Sequence, residues 1–440
     1  MRYYSTNENA PKASLKEAVI RGLAPDGGLY MPERISLIPK AFFNNLEGMT
    51  LQEIAYVVAN TLFGDDIDSD KLKTIVYDAL NFQIPLKKIE DNIYTLELFH
   101  GPTLAFKDVG ARFMARLLGY FNSQEADGKD INVLVATSGD TGGAVANGFL
   151  NVPGVNVYVL YPKGKVSRLQ EMQFASLGAN IHALEIDGTF DDCQAMVKAA
   201  FVDDELNRKM KLTSANSINP ARFLPQMFYY FWAYAQLLKL EEDENIGKNL
   251  VFCVPSGNLG NICSALIGNK MGLPVKRFIA ANNRNRVFTD FLLNGVYSPK
   301  ASILTIANAM DVGAPSNFAR ILDLYEKDHS KISNKISGFS YTDEEILQTI
   351  QKVYHENGYL LDPHGATGYL ALKEGLKEGE IGIFLETAHP AKFKETVEKS
   401  INKSISIPDE LSKHSSRQKH SVVLPPSFSA LKRHLLSTNL

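Results

Sequence analysis

Residues 131–162 read INVLVATSGDTGGAVANGFLNVPGVNVYVLYP. The stretch opens as a mostly apolar run of strand length, and SGDTGG then breaks it. AVANGFL continues with helical spacing, and VNVYVLYP returns to a strand. A strand, a helix and a second strand within about thirty residues make one βαβ unit, whose two strands run parallel.

The same alternation spreads outward in both directions. VSRLQEMQFASLG (166–178) follows the second strand as a helix, and NIHALEI (180–186) leads into TFDDCQAMVKAAFVD (189–203). Further on, NLVFCVPS (249–256) leads into GNLGNICSALIGNKMG (257–272), and IGIFLETA (381–388) into HPAKFKETVEKS (389–400). Parallel strands covered by helices follow, an α/β protein with open, mostly parallel sheets. Before residue 93 the pattern is mainly helical, with LQEIAYVVANTLFG (51–64) the clearest case and Gly64 as its stop signal. The expected division is a mainly helical region over 1–92, a smaller α/β domain over 93–212 and a larger one over 213–440. YEKDHSKISNKISGFS (325–340) reads as an exposed polar connection, and the polar, basic tail after Pro408 as a surface wrap or frayed end.

Bulk composition narrows the function. The 440 residues are 45% hydrophobic and 22% charged, with a net charge of −3. That supports a sizeable core and argues against nucleic acid as the main partner. Cys193, Cys253 and Cys263 have no zinc-like spacing and read as small buried apolar residues in a reducing compartment. No metal site is expected. The N-terminus lacks an apolar signal core, and the longest apolar run, MFYYFWAYAQLL (227–238), is too short to span a bilayer. A cytoplasmic protein without membrane contact is the expectation.

Chemistry belongs at the carboxyl ends of parallel strands. ATSGDTGGA (136–144) combines three glycines with hydroxyls at a helix start, a natural cradle for a carboxylate or phosphate or, equally, a capped tight turn. PSGNLGN (255–261) offers consecutive amides to a phosphate dianion. LETAHPAKF (385–393) puts Thr387 at the end of a strand, where an N-cap is the default role. NSINPARFLPQ (216–226) gathers Asn216, Ser217 and Arg222, a set able to grip a phosphate. Neither a dinucleotide GxGxxG nor a Walker loop is present. In FHGPTLAFKDVG (99–110), Lys107 sits among small and apolar residues at a helix start. A lysine so placed loses hydration of its ammonium and becomes a better amine nucleophile; snorkelling from a helix end is the bland alternative. NAMDVGAPSNFAR (308–320) and LDPHGATGY (361–369) are polar turns opening helices, and composition alone assigns them nothing.

These segments, in this order and with GLAPDGGLYMP (22–32) at their head, resemble the threonine synthase family. The resemblance runs over most of the chain and implies the tryptophan synthase β-like (fold type II) architecture with pyridoxal 5′-phosphate as cofactor. It implies that Lys107 is the Schiff-base lysine and that Gly257, Asn258, Leu259, Gly260 and Asn261 enclose the cofactor phosphate. Thr387 then serves the pyridine nitrogen. Thr137, Ser138, Asp140 and Thr141 surround the amino-acid end of the substrate, while Asn216, Ser217 and Arg222 hold its phosphate. Arg112, Arg168 and Arg320 are further anion-binding candidates. Asp140 stands where relatives often carry Asn. A carboxylate there would repel a substrate carboxylate, so it is expected to face away or to meet a donor. The implied reaction turns a small-molecule substrate, O-phospho-L-homoserine, and water into L-threonine and phosphate, in a monomer or homodimer. A phospho-lyase on the same scaffold, or a catalytically silent relative acting as a binding protein, shares most of these residues.

Overall fold

The computed structural model describes residues 1–125, 128–241, 243, 245–415 and 417–438. They divide into two compact units, each assembled from separated stretches of chain. Unit 1 comprises Met1, Pro32–Phe106 and Phe223–Ser406; unit 2 comprises Arg2–Met31, Lys107–Arg222 and Ile407–Leu440.

Unit 1 is built on a six-stranded sheet in the order Ile336–Ser340, Arg277–Asn282, Leu250–Pro255, Ile381–Glu386, Ile93–Glu97, Leu86–Glu90. The first five strands are parallel and the last is antiparallel to its neighbour. Leu250–Pro255 is buried at every position, as a strand covered on both faces must be. The order reverses direction between Leu250–Pro255 and Ile381–Glu386. The crevice at the carboxyl ends of those two strands is therefore the sheet's switch point, where ligands bind in open α/β sheets. Val251, Cys253, Ile279 and Phe384 pack under Ala366, Tyr369 and Leu372 of the helix Pro363–Gly375 to form a core on one face.

Unit 2 carries five parallel strands in the order Ser421–Leu424, Ile181–Ile186, Val155–Pro162, Ile131–Ala136, Lys211–Ser214. The opening βαβ reading holds: Ile131–Ala136 pairs in parallel with Val155–Pro162, and the helix Asp140–Phe149 connects them. Here the switch point lies between Ile131–Ala136 and Lys211–Ser214.

Three expectations need correction. The stretch 325–340 is not a bare connection. Asp328 caps a helix, His329–Lys335, and Ile336–Ser340 is the outer strand of the six-stranded sheet, with Ile332 and Ile336 buried. The tail after Pro408 is likewise built in: Ser421–Leu424 adds an outer strand, and the helix Phe428–Thr438 buries Leu431 and Leu435. Nor do breaks at 92/93 and 212/213 describe the compact units. The first thirty residues join unit 2 because the Val19 carbonyl accepts from Thr213 Oγ1 (3.2 Å) and Asn219 Nδ2 (2.8 Å). Ile93–Glu97 instead joins unit 1 by pairing with Ile381–Glu386.

All three cysteines are buried, and burial pushes the Cys193 and Cys263 thiols up to about 12. Among the described residues no helix is long and apolar enough to cross a membrane, and no group of three or more His, Cys, Asp or Glu could hold a metal ion.

Candidate active site

Both candidate loops of unit 1 lie at its switch point. The first follows Leu250–Pro255. Gly257 is needed for space: a Cβ there would lie 2.7 Å from the Ala309 carbonyl oxygen and 2.9 Å from Met310 Cα. Leu259 adopts the left-handed conformation (φ 60°, ψ 6°) immediately before the helix Gly260–Lys270. A leucine held there costs on the order of 1–3 kcal/mol, strain that clusters at ligand-binding turns. Its effect is to turn the chain so that the free amides of the first helical turn open at the strand's end. Asn258 braces the loop from behind: its Oδ1 accepts from the Ser316 amide (2.6 Å) and its carbonyl from Asn317 Nδ2 (2.9 Å). Asn261 Oδ1 accepts from the hydroxyls of Tyr229 (2.6 Å) and Tyr230 (2.7 Å), which fixes the amide's orientation. Asn261 Nδ2 is left buried without a partner. An orphaned donor beside free helix N-terminal amides suits a phosphate, so these residues fit the anionic end of pyridoxal phosphate.

Thr387 follows Ile381–Glu386 and is 6% exposed. Its carbonyl accepts from the Phe106 amide (2.9 Å), and the His389 amide donates to the Leu104 carbonyl (3.1 Å). Ala105 bridges Ala388, and Lys392 Nζ donates to the Thr103 carbonyl (2.8 Å). Residues 103–106 are thus stitched to the backbone around Thr387 within unit 1.

Lys107 opens unit 2 as the first residue of the helix Lys107–Asn122 and is half-buried. A cation in a first helical turn opposes the helix dipole, so local helix stability does not explain this lysine. Its carbonyl accepts from an Nη of Arg222 (3.1 Å), whose Nε donates to the Ala215 carbonyl (2.7 Å). Arg222 is 3% exposed, and burial lowers its guanidinium to about 10, with Asp108 pulling the other way. Gly110 lets the lysine's helix close on Arg222: a Cβ would lie 2.2 Å from the Arg222 carbonyl oxygen.

The remaining unit 2 residues flank its switch point on two loops. Thr137 Oγ1 accepts from the amides of Gly139 (2.9 Å) and Gly142 (2.8 Å), so this hydroxyl first shapes the turn. Gly139 has φ 142° and packs against the Gln170 amide, leaving no room for a Cβ. Asp140 meets a donor, Gln170 Nε2 (2.9 Å), and lies at a helix N-terminus that favours its charge. Ser138 is exposed and Thr141 half-buried on the same turn. Asn216 and Ser217 are half-buried on the neighbouring loop, and the Asn216 amide donates to Ser214 Oγ (3.3 Å).

Unit 2 therefore brings together Lys107 and Arg222 by direct contact, and Thr137–Thr141 and Asn216–Ser217 by strand order. Arg112 is half-buried on the lysine's helix, and Arg168 is exposed. Arg320 belongs to unit 1, where it is fully buried, stacks on Phe223 (3.9 Å) and donates to Asn317 Oδ1 (2.6 Å). Sequence reading missed the two tyrosines on Asn261. Adjacent hydroxyls at the buried start of an apolar helix, each needing a partner, were the available signal.

Comparisons with known proteins give the family. Residues 74–385 match the family described as pyridoxal-phosphate dependent enzyme, residues 2–80 the threonine synthase N terminus and residues 365–435 the threonine synthase C-terminal family. The threonine synthase of Haemophilus influenzae is 43% identical over 438 residues, covering 100% of both chains. Among solved structures, Escherichia coli threonine synthase superposes with a TM-score of 0.92 at 41% identity, covering 100% of both chains. PLP-bound threonine synthase from Brucella melitensis gives 0.93 at 33% identity, covering 100% of this chain and 99% of the other. The chain belongs to the threonine synthase family, pyridoxal-phosphate-dependent lyases.

Proposed function

We propose that this chain converts O-phospho-L-homoserine and water to L-threonine and inorganic phosphate, with Lys107 as its catalytic residue. When bound, pyridoxal phosphate supplies a conjugated sink for negative charge at the substrate Cα. Everything else falls to the chain's own groups. Lys107 Nζ would hold the cofactor and, once displaced by substrate, would take the Cα proton and return it at the end; tethering near the substrate suits one amine to several transfers. The amides of Gly257–Asn261 and Asn261 Nδ2 hold the cofactor phosphate. The Thr387 hydroxyl donates to the ring nitrogen and, being neutral, leaves that nitrogen unprotonated. The Thr137–Thr141 turn holds the substrate's carboxylate through amides and hydroxyls, with Asp140 turned to Gln170. Asn216, Ser217 and the charge of Arg222 receive the substrate's phosphate. With the Cα proton already removed, a second proton would leave Cβ as phosphate departs from Cγ; Cγ would gain a proton, the hydroxyl of water would add at Cβ with its proton passing to the departed phosphate, and Cα would regain its proton.

The observation that carries the reading is the orphaned Asn261 Nδ2 beside free helix N-terminal amides at the unit 1 switch point, on a chain whose relatives over full length are threonine synthases. We place the protein in the cytoplasm as a monomer or homodimer. Incubation with O-phospho-L-homoserine, followed by NMR, tests the proposal. Threonine and phosphate in equal amounts support it, whereas 2-oxobutyrate with phosphate identifies a phospho-lyase instead.

A further inference from the structure

The turn LDPHGATGY received no role above, yet it holds a buried chain of titratable groups that ends at the loop assigned to the cofactor phosphate. Asp362, His364 and Glu386 are 0%, 2% and 0% exposed. Asp362 caps the helix Pro363–Gly375 by accepting from the Gly365 amide through Oδ1 (2.7 Å). Its Oδ2 lies 2.5 Å from His364 Nδ1. On the far side of the ring, the Ala309 amide donates to His364 Nε2 (3.1 Å). An amide can only donate, so Nε2 presents its lone pair and Nδ1 carries the proton that Asp362 receives. The tautomer is fixed from both ends.

Asp362 is held in turn. Its amide donates to Glu386 Oε1 (2.6 Å). Burial, and then the Asp362 charge, push the Glu386 carboxyl well above the usual range, which favours its neutral form beside Asp362. Gly365 makes room for it: a Cβ there would lie 1.5 Å from Glu386 Oε2.

At the other end, Ala309 belongs to the short turn Asn308–Met310. That turn is the wall against which Gly257 rests, through the Ala309 carbonyl and Met310 Cα. Asp311, one residue on, is fastened to Asn283, Asn285 and Thr305, so His364 anchors the wall from one side while these residues anchor it from the other.

We propose that His364, locked by Asp362 in its Nδ1-protonated tautomer, is a positioning residue for the Gly257–Asn261 loop and thereby sets how tightly the cofactor's phosphate is held. This rests on the reading that the loop binds that phosphate. The His364 ring is buried between Asp362 and the Ala309 amide and acts through that amide.

Two substitutions separate the ends of the ring. In His364→Gln the side-chain oxygen can replace Nε2 and still accept from Ala309. In His364→Asn the side chain reaches only the Nδ1 position and the Ala309 amide loses its acceptor. The assay loads each protein with pyridoxal phosphate or with unphosphorylated pyridoxal, follows release into a trap after dilution, and records the 31P NMR shift of the bound phosphate. His364→Asn should release pyridoxal phosphate roughly tenfold faster than the parent, the order expected when one buried amide loses its partner. Its 31P shift should move, while pyridoxal release stays unchanged. His364→Gln should stay within about threefold of the parent, since the acceptor is kept. Should His364→Asn fail to fold, Asp362→Asn serves instead: an amide donor facing Nδ1 drives the proton to Nε2, against the Ala309 amide, and should reproduce the loss. Equal behaviour of the Asn and Gln variants, or parallel loosening of pyridoxal and pyridoxal phosphate, overturns the positioning role. A parent that holds pyridoxal as tightly as pyridoxal phosphate overturns the loop assignment itself, and with it this proposal.

Discussion

Gly257→Ala tests the site through geometry alone. The new methyl would sit 2.7 Å from the Ala309 oxygen and 2.9 Å from Met310 Cα, whereas ordinary contact begins near 3.4 Å. Both obstacles are backbone, so no side chain can swing away, and the deficit of roughly 0.7 Å falls on the loop or on the turn behind it. The turn is fastened by His364 and Asp311, which leaves the loop to yield. Overpacking of this kind costs about 1–3 kcal/mol of stability. A shift of about half an ångström stretches amide–phosphate hydrogen bonds from near 2.9 Å beyond the useful range of about 3.2 Å. Losing half the worth of one charge-assisted bond is about 1 kcal/mol, and two such bonds about 2. The dissociation constant for pyridoxal phosphate should therefore rise about five- to thirtyfold. Equilibrium dialysis measures it, and Gly48→Ala is the control, since a Cβ at Gly48 meets nothing within 4 Å. A folded Gly257→Ala protein that binds pyridoxal phosphate as the parent does would show that this loop does not hold the phosphate.

Three further predictions concern the chemistry and the frame. Lys107→Ala should abolish the long-wavelength absorbance of a lysine-attached cofactor and all turnover; a retained band would place the attachment elsewhere. Arg222→Ala should raise KM for O-phospho-L-homoserine by at least about tenfold with a smaller change in cofactor absorbance, and unaltered steady-state kinetics would remove Arg222 from the site. Glu380 concerns acid stability. Burial alone would raise its carboxyl, yet Arg277, the Lys377 amide and Lys276 bring it from the usual 4.5 down to about 2. A lowered carboxylate stabilises fully above its unfolded value and loses that contribution as the pH falls, here through 4.5 towards 2. The drop is worth about 3 kcal/mol, of which about 2 should be gone by pH 3. Urea unfolding of the whole protein between pH 6 and pH 3, with Glu380 and Arg277 both replaced by Met for comparison, reads the difference; identical pH slopes refute it.

Much of the fold was legible because hydrophobic periodicity is local. INVLVA, VNVYVLYP and NLVFCVPS each announce a strand, and each is one. Strand order is not local. No composition rule says that Lys211–Ser214 lies beside Ile131–Ala136, or Ile381–Glu386 beside Leu250–Pro255, yet those neighbours create the two switch points. The misread 325–340 segment shows the same limit: Ile332 and Ile336 are two apolar residues in a polar run, and only the waiting edge of Arg277–Asn282 makes a strand of the second. The glycine-rich loops were visible in sequence because close approach demands small residues. Their bracing by Asn258, Tyr229 and Tyr230 was not, since those partners lie far apart along the chain. Asp140 looked anomalous until Gln170, thirty positions on, supplied a donor.

The outer strand Ser421–Leu424 pairs with Ile181–Ile186, although more than two hundred residues separate them in sequence. During synthesis, unit 2 must therefore wait with one side of its sheet bare while unit 1 is being made, since ribosomes add only about 5–20 residues each second. An unpaired strand rim invites association with other nascent chains over that interval.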